Sequence, residues 1–115
     1  MKRWLTRAAD QVPRVGDGHR HSHQDPGERF PVIDVGTGPA VLLLHGFPDS
    51  SYLWRYQVPA LVAGGFRVVA PDLRGYGDAP RPTDVRRYRR PFIAADILGI
   101  LDALDVKRSR IVRHD

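Results

Sequence analysis

The strongest constraint on the fold is a run of five apolar residues, Ala40-Val41-Leu42-Leu43-Leu44. It is fenced by Gly36-Thr37-Gly38-Pro39 before it and His45-Gly46-Phe47-Pro48 after it. A strand with one wet face alternates apolar and polar side chains, so a short run with no polar position reads as a strand covered on both faces. Such a strand lies inside a sheet with layers packed above and below. The rest of the chain must then supply flanking strands and covering helices.

The pattern on either side meets that demand. Residues 30–35 read as a short strand, and Gly36-Thr37-Gly38-Pro39 is a strong turn signal. Ser50 or Ser51 can cap a helical segment over residues 50–63, with Pro59 implying a break or a second helix start and Gly64-Gly65 ending it. Residues 66–70 form another apolar strand. Pro91 opens a longer helix, in which Ile93, Ile97, Ile100, Leu101 and Leu104 recur at the helical period and give one apolar face to lay on a sheet. Residues 110–112 begin a further strand. Strands and helices alternating at these spacings predict a right-handed, parallel βαβ arrangement.

Residues 1–28 differ from this pattern. They are polar and charged, contain Pro13 and Pro26, and carry no sustained apolar period, so the sequence predicts a mobile basic tail ahead of a core at 29–115. His19, His21 and His23 alternate in this tail, but a loose segment lacks the surrounding groups that orient ligating imidazoles, and no metal site is expected. With no cysteine in the chain, disulfides and thiolate chemistry are excluded. No apolar run approaches the ~20 residues of a membrane helix, no secretory signal follows the basic N-terminus, and the expected compartment is the cytoplasm. The net charge of +5 raises the question of nucleic acid. The arginines fall into two loose groups rather than one reading surface, and the second, at Arg81, Arg86, Arg87, Arg89 and Arg90, sits in a Pro-containing loop. Neither nucleic acid nor a membrane is expected as a partner.

Three segments carry chemistry, each at the carboxyl end of a predicted strand, where open α/β sheets place their sites. In His45-Gly46-Phe47-Pro48, Gly46 would let the backbone turn sharply, leaving the Phe47 N–H to face a developing negative charge, as in one half of an oxyanion hole. The Phe47–Pro48 bond is a candidate for the cis form. In Asp72-Leu73-Arg74-Gly75-Tyr76-Gly77, Gly75 and Gly77 suggest a close-packed loop whose backbone N–H groups Asp72 can tie down. That loop is structural rather than a dinucleotide site, since a third glycine and an immediate helix are absent. The third segment, Ile111-Val112-Arg113-His114-Asp115, runs a strand into a polar reactive side chain, as a nucleophile elbow begins.

In their order and spacing, the stretch from His45 to Arg55, then Ala70 to Gly77, then His114-Asp115 resemble the epoxide hydrolase and dehalogenase branch of the α/β-hydrolase fold. The resemblance implies a mostly parallel sheet flanked by helices, of which this chain supplies the N-terminal half, without the lid or the C-terminal half. It places Asp115 on the nucleophile and the Phe47 backbone N–H on the oxyanion hole, with His45, Gly46 and Pro48 shaping that loop. A carboxylate opens an epoxide or displaces a halide at carbon, giving an ester that activated water hydrolyses. Asp115 therefore argues against a serine esterase, and the implied substrate is a small apolar epoxide or halogenated compound, with no cofactor.

Within the branch, haloalkane dehalogenases often hold the departing halide with a side-chain amide at position 47. Phe47 offers no donor, which favours an epoxide hydrolase over a haloacetate or haloalkane dehalogenase, although residues 50–55 also look like the latter. Arg113 departs from the glycine that epoxide hydrolases usually carry two residues before the nucleophile, and a buried unpaired guanidinium there would be costly. No histidine of this chain matches the family's general base. The fragment alone is expected to be inactive and poorly soluble; the readings outside catalysis are a truncated product or a partner-binding tail.

Overall fold

The computed structural model describes residues 2–7 and 28–114. β3, Ala40–Leu44, is the run that the sequence singles out, and it lies inside the sheet. The two faces of that strand enter different cores. Val41 and Leu43 pack with Trp54, Val68 and Ala70 on one side, and Leu42 packs with Phe30, Val32, Val69, Ile100 and Leu104 on the other. Burial on both faces is the physical reason that no polar residue interrupts the run.

Five strands form one sheet in the order β1-β2-β4-β3-β5. β2 covers Glu28–Val35, β4 Arg67–Pro71 and β5 Ser109–Arg113. β3 runs parallel to β4 on one side and to β5 on the other, as the βαβ spacing predicts. β2 joins β4 antiparallel. The antiparallel pairings are confined to one edge of the sheet.

That edge holds a difference from the sequence reading. Lys2–Arg7, placed by the sequence in a structureless tail, forms β1 and pairs antiparallel along β2 from Lys2↔Ile33 to Arg7↔Glu28. Backbone pairing, rather than an apolar period, creates this strand, and its three basic residues suit an outer edge. The rest of the predicted tail, including His19, His21 and His23, lies outside the described residues.

The helical elements follow the punctuation in the sequence. Ser50 caps a 3-10 turn at Ser51–Trp54, its side chain accepting the Tyr52 N–H. Helix α1 then begins separately at Gln57–Ala63. Pro59 falls within its first turn, where a missing N–H breaks no helical bond. Gly64 ends the helix. Helix α2, Arg90–Ala103, has Pro91 in its first turn, and Ile97, Ile100, Leu101 and Leu104 join the core beneath it. Between β4 and α2, the arginine-rich segment is a loop with one 3-10 turn at Val85–Tyr88.

Candidate active site

Parallel strands bring their carboxyl ends to one side of a sheet. Leu44 pairs with Arg113, and the His114 N–H continues the ladder to the Leu44 carbonyl at 3.0 Å. β4 runs beside β3 in the same direction and delivers Asp72. The three segments singled out in the sequence therefore meet at one end of the sheet. Asp115 itself lies outside the described residues; the strand that leads to it is described through His114.

After β3 the chain makes a tight turn, closed by the Asp49 N–H donating to the Gly46 carbonyl at 3.1 Å. The Phe47–Pro48 bond at its centre is cis, as the sequence suggested, which makes this a type VI turn. Gly46 does not adopt the left-handed conformation, so the sharpness of the turn comes from the Phe-Pro unit. No acceptor among the described residues takes the Phe47 N–H. The Phe47 side chain is 77% exposed.

His45 holds this turn against the neighbouring loop. Its ring is buried, with Nε2 accepting the Leu73 N–H at 2.9 Å and Nδ1 lying 3.0 Å from the Gly46 carbonyl oxygen. A backbone N–H only donates and a carbonyl only accepts, so both contacts are satisfied by a neutral ring protonated on Nδ1. The Tyr76 ring stands edge-on to both His45 and Phe47, at centroid distances of 5.3 and 6.2 Å.

The loop after β4 is built around two buried carboxylates. Asp72 accepts the Ser51 N–H at 2.8 Å and the Asp78 N–H at 3.4 Å. It thereby ties the 3-10 turn to the glycine loop. Gly77 has a φ of +54°, and a Cβ there would come within 2.4 Å of Asp72 Oδ2, so both conformation and space demand glycine. At Gly75, a Cβ would meet the Tyr88 ring at 2.6 Å.

The second carboxylate, Asp96 of α2, receives the Arg74 guanidinium through Nε at 2.5 Å and Nη2 at 2.7 Å. Arg74 Nη1 also reaches the Arg87 carbonyl at 3.1 Å. Sequence reasoning missed this buried pair. A signal was available, because Asp96 interrupts the apolar stripe of α2 between Ile93 and Ile100.

Between β3, β5 and the start of α2 lies an open cleft of about 310 Å³. Its apolar wall includes Leu44, Ile93, Ala94 and Ile97, and Arg90, Arg113 and His114 also line it. Arg113 is exposed rather than buried, so the strand end escapes the desolvation cost that its sequence position threatened. Among the described residues, no group of three potential ligands could hold a metal ion, and no helix is long and apolar enough to cross a membrane.

This architecture has known counterparts. Residues 39–112 match the model of the alpha/beta hydrolase fold family. The epoxide hydrolase of Caballeronia sordidicola is 46% identical over 84 residues, spanning 73% of this chain and 26% of that protein. The bifunctional epoxide hydrolase 2 of Mus musculus is 39% identical over 97 residues, spanning 84% of this chain and 18% of that protein. Among solved structures, an epoxide hydrolase from an endophytic Streptomyces superposes with a TM-score of 0.79 at 36% identity, over 100% of this chain and 29% of that one. The chain thus spans less than a third of the length of these relatives. It belongs to the α/β-hydrolase fold family of hydrolases, with epoxide hydrolases as its relatives.

Proposed function

We propose that this chain carries the nucleophile and one oxyanion donor of an epoxide hydrolase, with Asp115 as the nucleophile. The supporting observation is the Phe47 N–H, which no described acceptor takes, at the same end of the sheet as the strand leading to Asp115. One carboxylate oxygen of Asp115 attacks an epoxide carbon, the ring C–O bond breaks, and the released alkoxide takes a proton from solvent. Water then adds to the carbonyl carbon of the resulting ester. Negative charge develops on the former carboxylate oxygen, and the Phe47 N–H stabilises it there. Collapse of this intermediate releases the diol and restores Asp115.

His45 does not supply the base that activates the water, because its Nε2 lone pair accepts from Leu73. Its part is to fix the turn that aims the Phe47 N–H. The steps assigned to this chain are nucleophilic attack and charge stabilisation; alone it is expected to give no turnover. An apolar side chain at position 47 offers a departing halide no hydrogen bond, which keeps the epoxide ahead of a halogenated substrate.

The test is a chimera in which residues 29–115 replace the matching segment of the Caballeronia sordidicola epoxide hydrolase. Hydrolysis of styrene oxide is expected, with loss in Asp115→Asn. Phe47→Ala, which keeps the N–H, should retain activity, whereas Phe47→Pro should lower kcat by about 10²–10³-fold. A folded chimera that is inactive, or one indifferent to Asp115→Asn, would overturn the reading.

A further inference from the structure

We propose that Tyr76 is a positioning residue for the turn at Phe47. Its ring, fixed on the glycine loop after β4, holds the Phe47 side chain and through it the direction of the Phe47 N–H. As a part in catalysis this rests on the epoxide hydrolase reading; as a clamp on the turn it rests on geometry alone.

Tyr76 stands between Gly75 and Gly77, whose φ values of +87° and +54° suit glycine. The loop they allow is fastened at Tyr76 itself. Its N–H donates to the Leu73 carbonyl at 2.9 Å, and its carbonyl accepts the Ala79 N–H at 3.0 Å. The Gly75 N–H donates to the Pro80 carbonyl at 2.8 Å, and the Asp72 carboxylate accepts the Asp78 N–H at 3.4 Å. None of these bonds involves residues 46–49, so Tyr76 is anchored independently of the turn beside it.

The turn is held at its two ends. The His45 ring accepts the Leu73 N–H before it, and the Asp49 N–H closes it on the Gly46 carbonyl. Phe47 between them is largely exposed, and among the described residues Tyr76 supplies its one ring contact, edge-on at 6.2 Å. The same ring stands edge-on to His45 at 5.3 Å. Edge-on pairing is a favoured arrangement of aromatic rings. Side-chain rotamers are coupled to backbone φ and ψ, so a ring that selects the Phe47 rotamer also narrows the direction of its N–H. Without that ring, the hydrogen bonds at both ends survive while residue 47 varies between them.

The first test is NMR of the 115-residue chain. The parent should show NOEs from the Tyr76 ring to the rings of both Phe47 and His45, with Phe47 Hα–Hβ couplings of a single rotamer. Tyr76→Leu, which keeps apolar bulk without a ring, should average those couplings. Tyr76→Phe should restore them, because a ring contact needs no hydroxyl. Missing NOEs or averaged couplings in the parent would overturn the proposal without any variant, as would unaveraged couplings in a folded Tyr76→Leu. The second test places the same variants in the Caballeronia sordidicola chimera. Tyr76→Leu should lower kcat by about 10–10²-fold with KM unchanged, and Tyr76→Phe should recover it. An unchanged kcat, a loss confined to KM, or a Tyr76→Phe variant as slow as Tyr76→Leu would overturn the role. A parent chimera without turnover would instead sink the nucleophile reading, and the NMR couplings would still decide the clamp.

Discussion

The two sides of the strand-end region are built differently. On the β3–β4 side every turn is pinned by a buried group: His45 grips Leu73, Asp72 grips Ser51, and Asp96 grips Arg74. On the β5 side the structure thins out. Ile111 is 63% and Val112 45% exposed, and among the described residues the strand has a neighbour on one side only. Internal hydrogen bonds fix the turn that carries the Phe47 N–H. The strand that delivers the proposed nucleophile has its backbone ladder to β3 and little side-chain packing. Precision at a reacting centre depends on groups held by packing and hydrogen bonds around them. The turn that presents the Phe47 N–H is therefore self-supporting, whereas the strand leading to the proposed nucleophile is held mainly by its ladder to β3.

The sharpest way to break this contrast is to attack the pinned side. Asp96→Ala would leave the Arg74 guanidinium, fully buried at 1% exposure, without its carboxylate. Breaking a buried pair from one side costs about 3–5 kcal/mol. For a single small domain that is a large share of its stability, and urea denaturation should show the chain mostly unfolded or its midpoint sharply lowered. The double replacement Arg74→Met with Asp96→Leu removes both charges together and should recover much of the loss. If Asp96→Ala unfolds at the same urea concentration as the parent, the loop after β4 is not held by this pair.

The same contrast explains what was legible in the sequence. β3 could be read to the residue, because burial on both faces leaves an unbroken apolar run and turn signals fence it on either side. The cis bond and the glycine loop were legible because Phe-Pro, Gly75 and Gly77 are local chemistry. β1 was not, since Lys2–Arg7 contains only Trp4 and Leu5 as large apolar residues and its structure comes from pairing with β2, more than twenty positions away. The Arg74–Asp96 pair was missed for a related reason: partners 22 residues apart meet only after α2 folds back across the sheet. His45 was correctly given a loop-shaping part, but its link to Leu73 required the position of β4 beside β3.

A smaller effect sharpens the comparison from the open side. Ile111→Lys places a charge on an outward strand position where little packing is lost, so stability should change by no more than about 0.5 kcal/mol. Self-association should change much more, because an exposed apolar edge is a template for pairing between chains and lysine is a common means of blocking it. Sedimentation velocity over a concentration series should show the parent forming larger species and Ile111→Lys remaining monomeric to higher concentration. A parent that stays monomeric throughout would mean that β5 is already protected as an edge.

The smallest effect concerns the charged loop between the two regions. Asp84 caps the 3-10 turn at Val85–Tyr88 and is bound by the Arg86 side chain and backbone N–H. Hydrogen bonding from the Arg86 side chain, more than charge alone, holds its carboxyl well below the ordinary value, at about 2 rather than 3.8. A carboxylate whose pKa is lower folded than unfolded favours the fold when ionised. That contribution is present in full above pH 3.8 and is lost as the pH falls toward 2. Because the pair is open to water, it is screened and contributes little to overall stability. The useful readout is therefore the titration itself. The Asp84 carboxyl carbon should titrate near 2 by NMR and move toward the ordinary carboxylate value in Arg86→Gln. A midpoint near 3.8 in the parent would mean that the cap is not populated in solution.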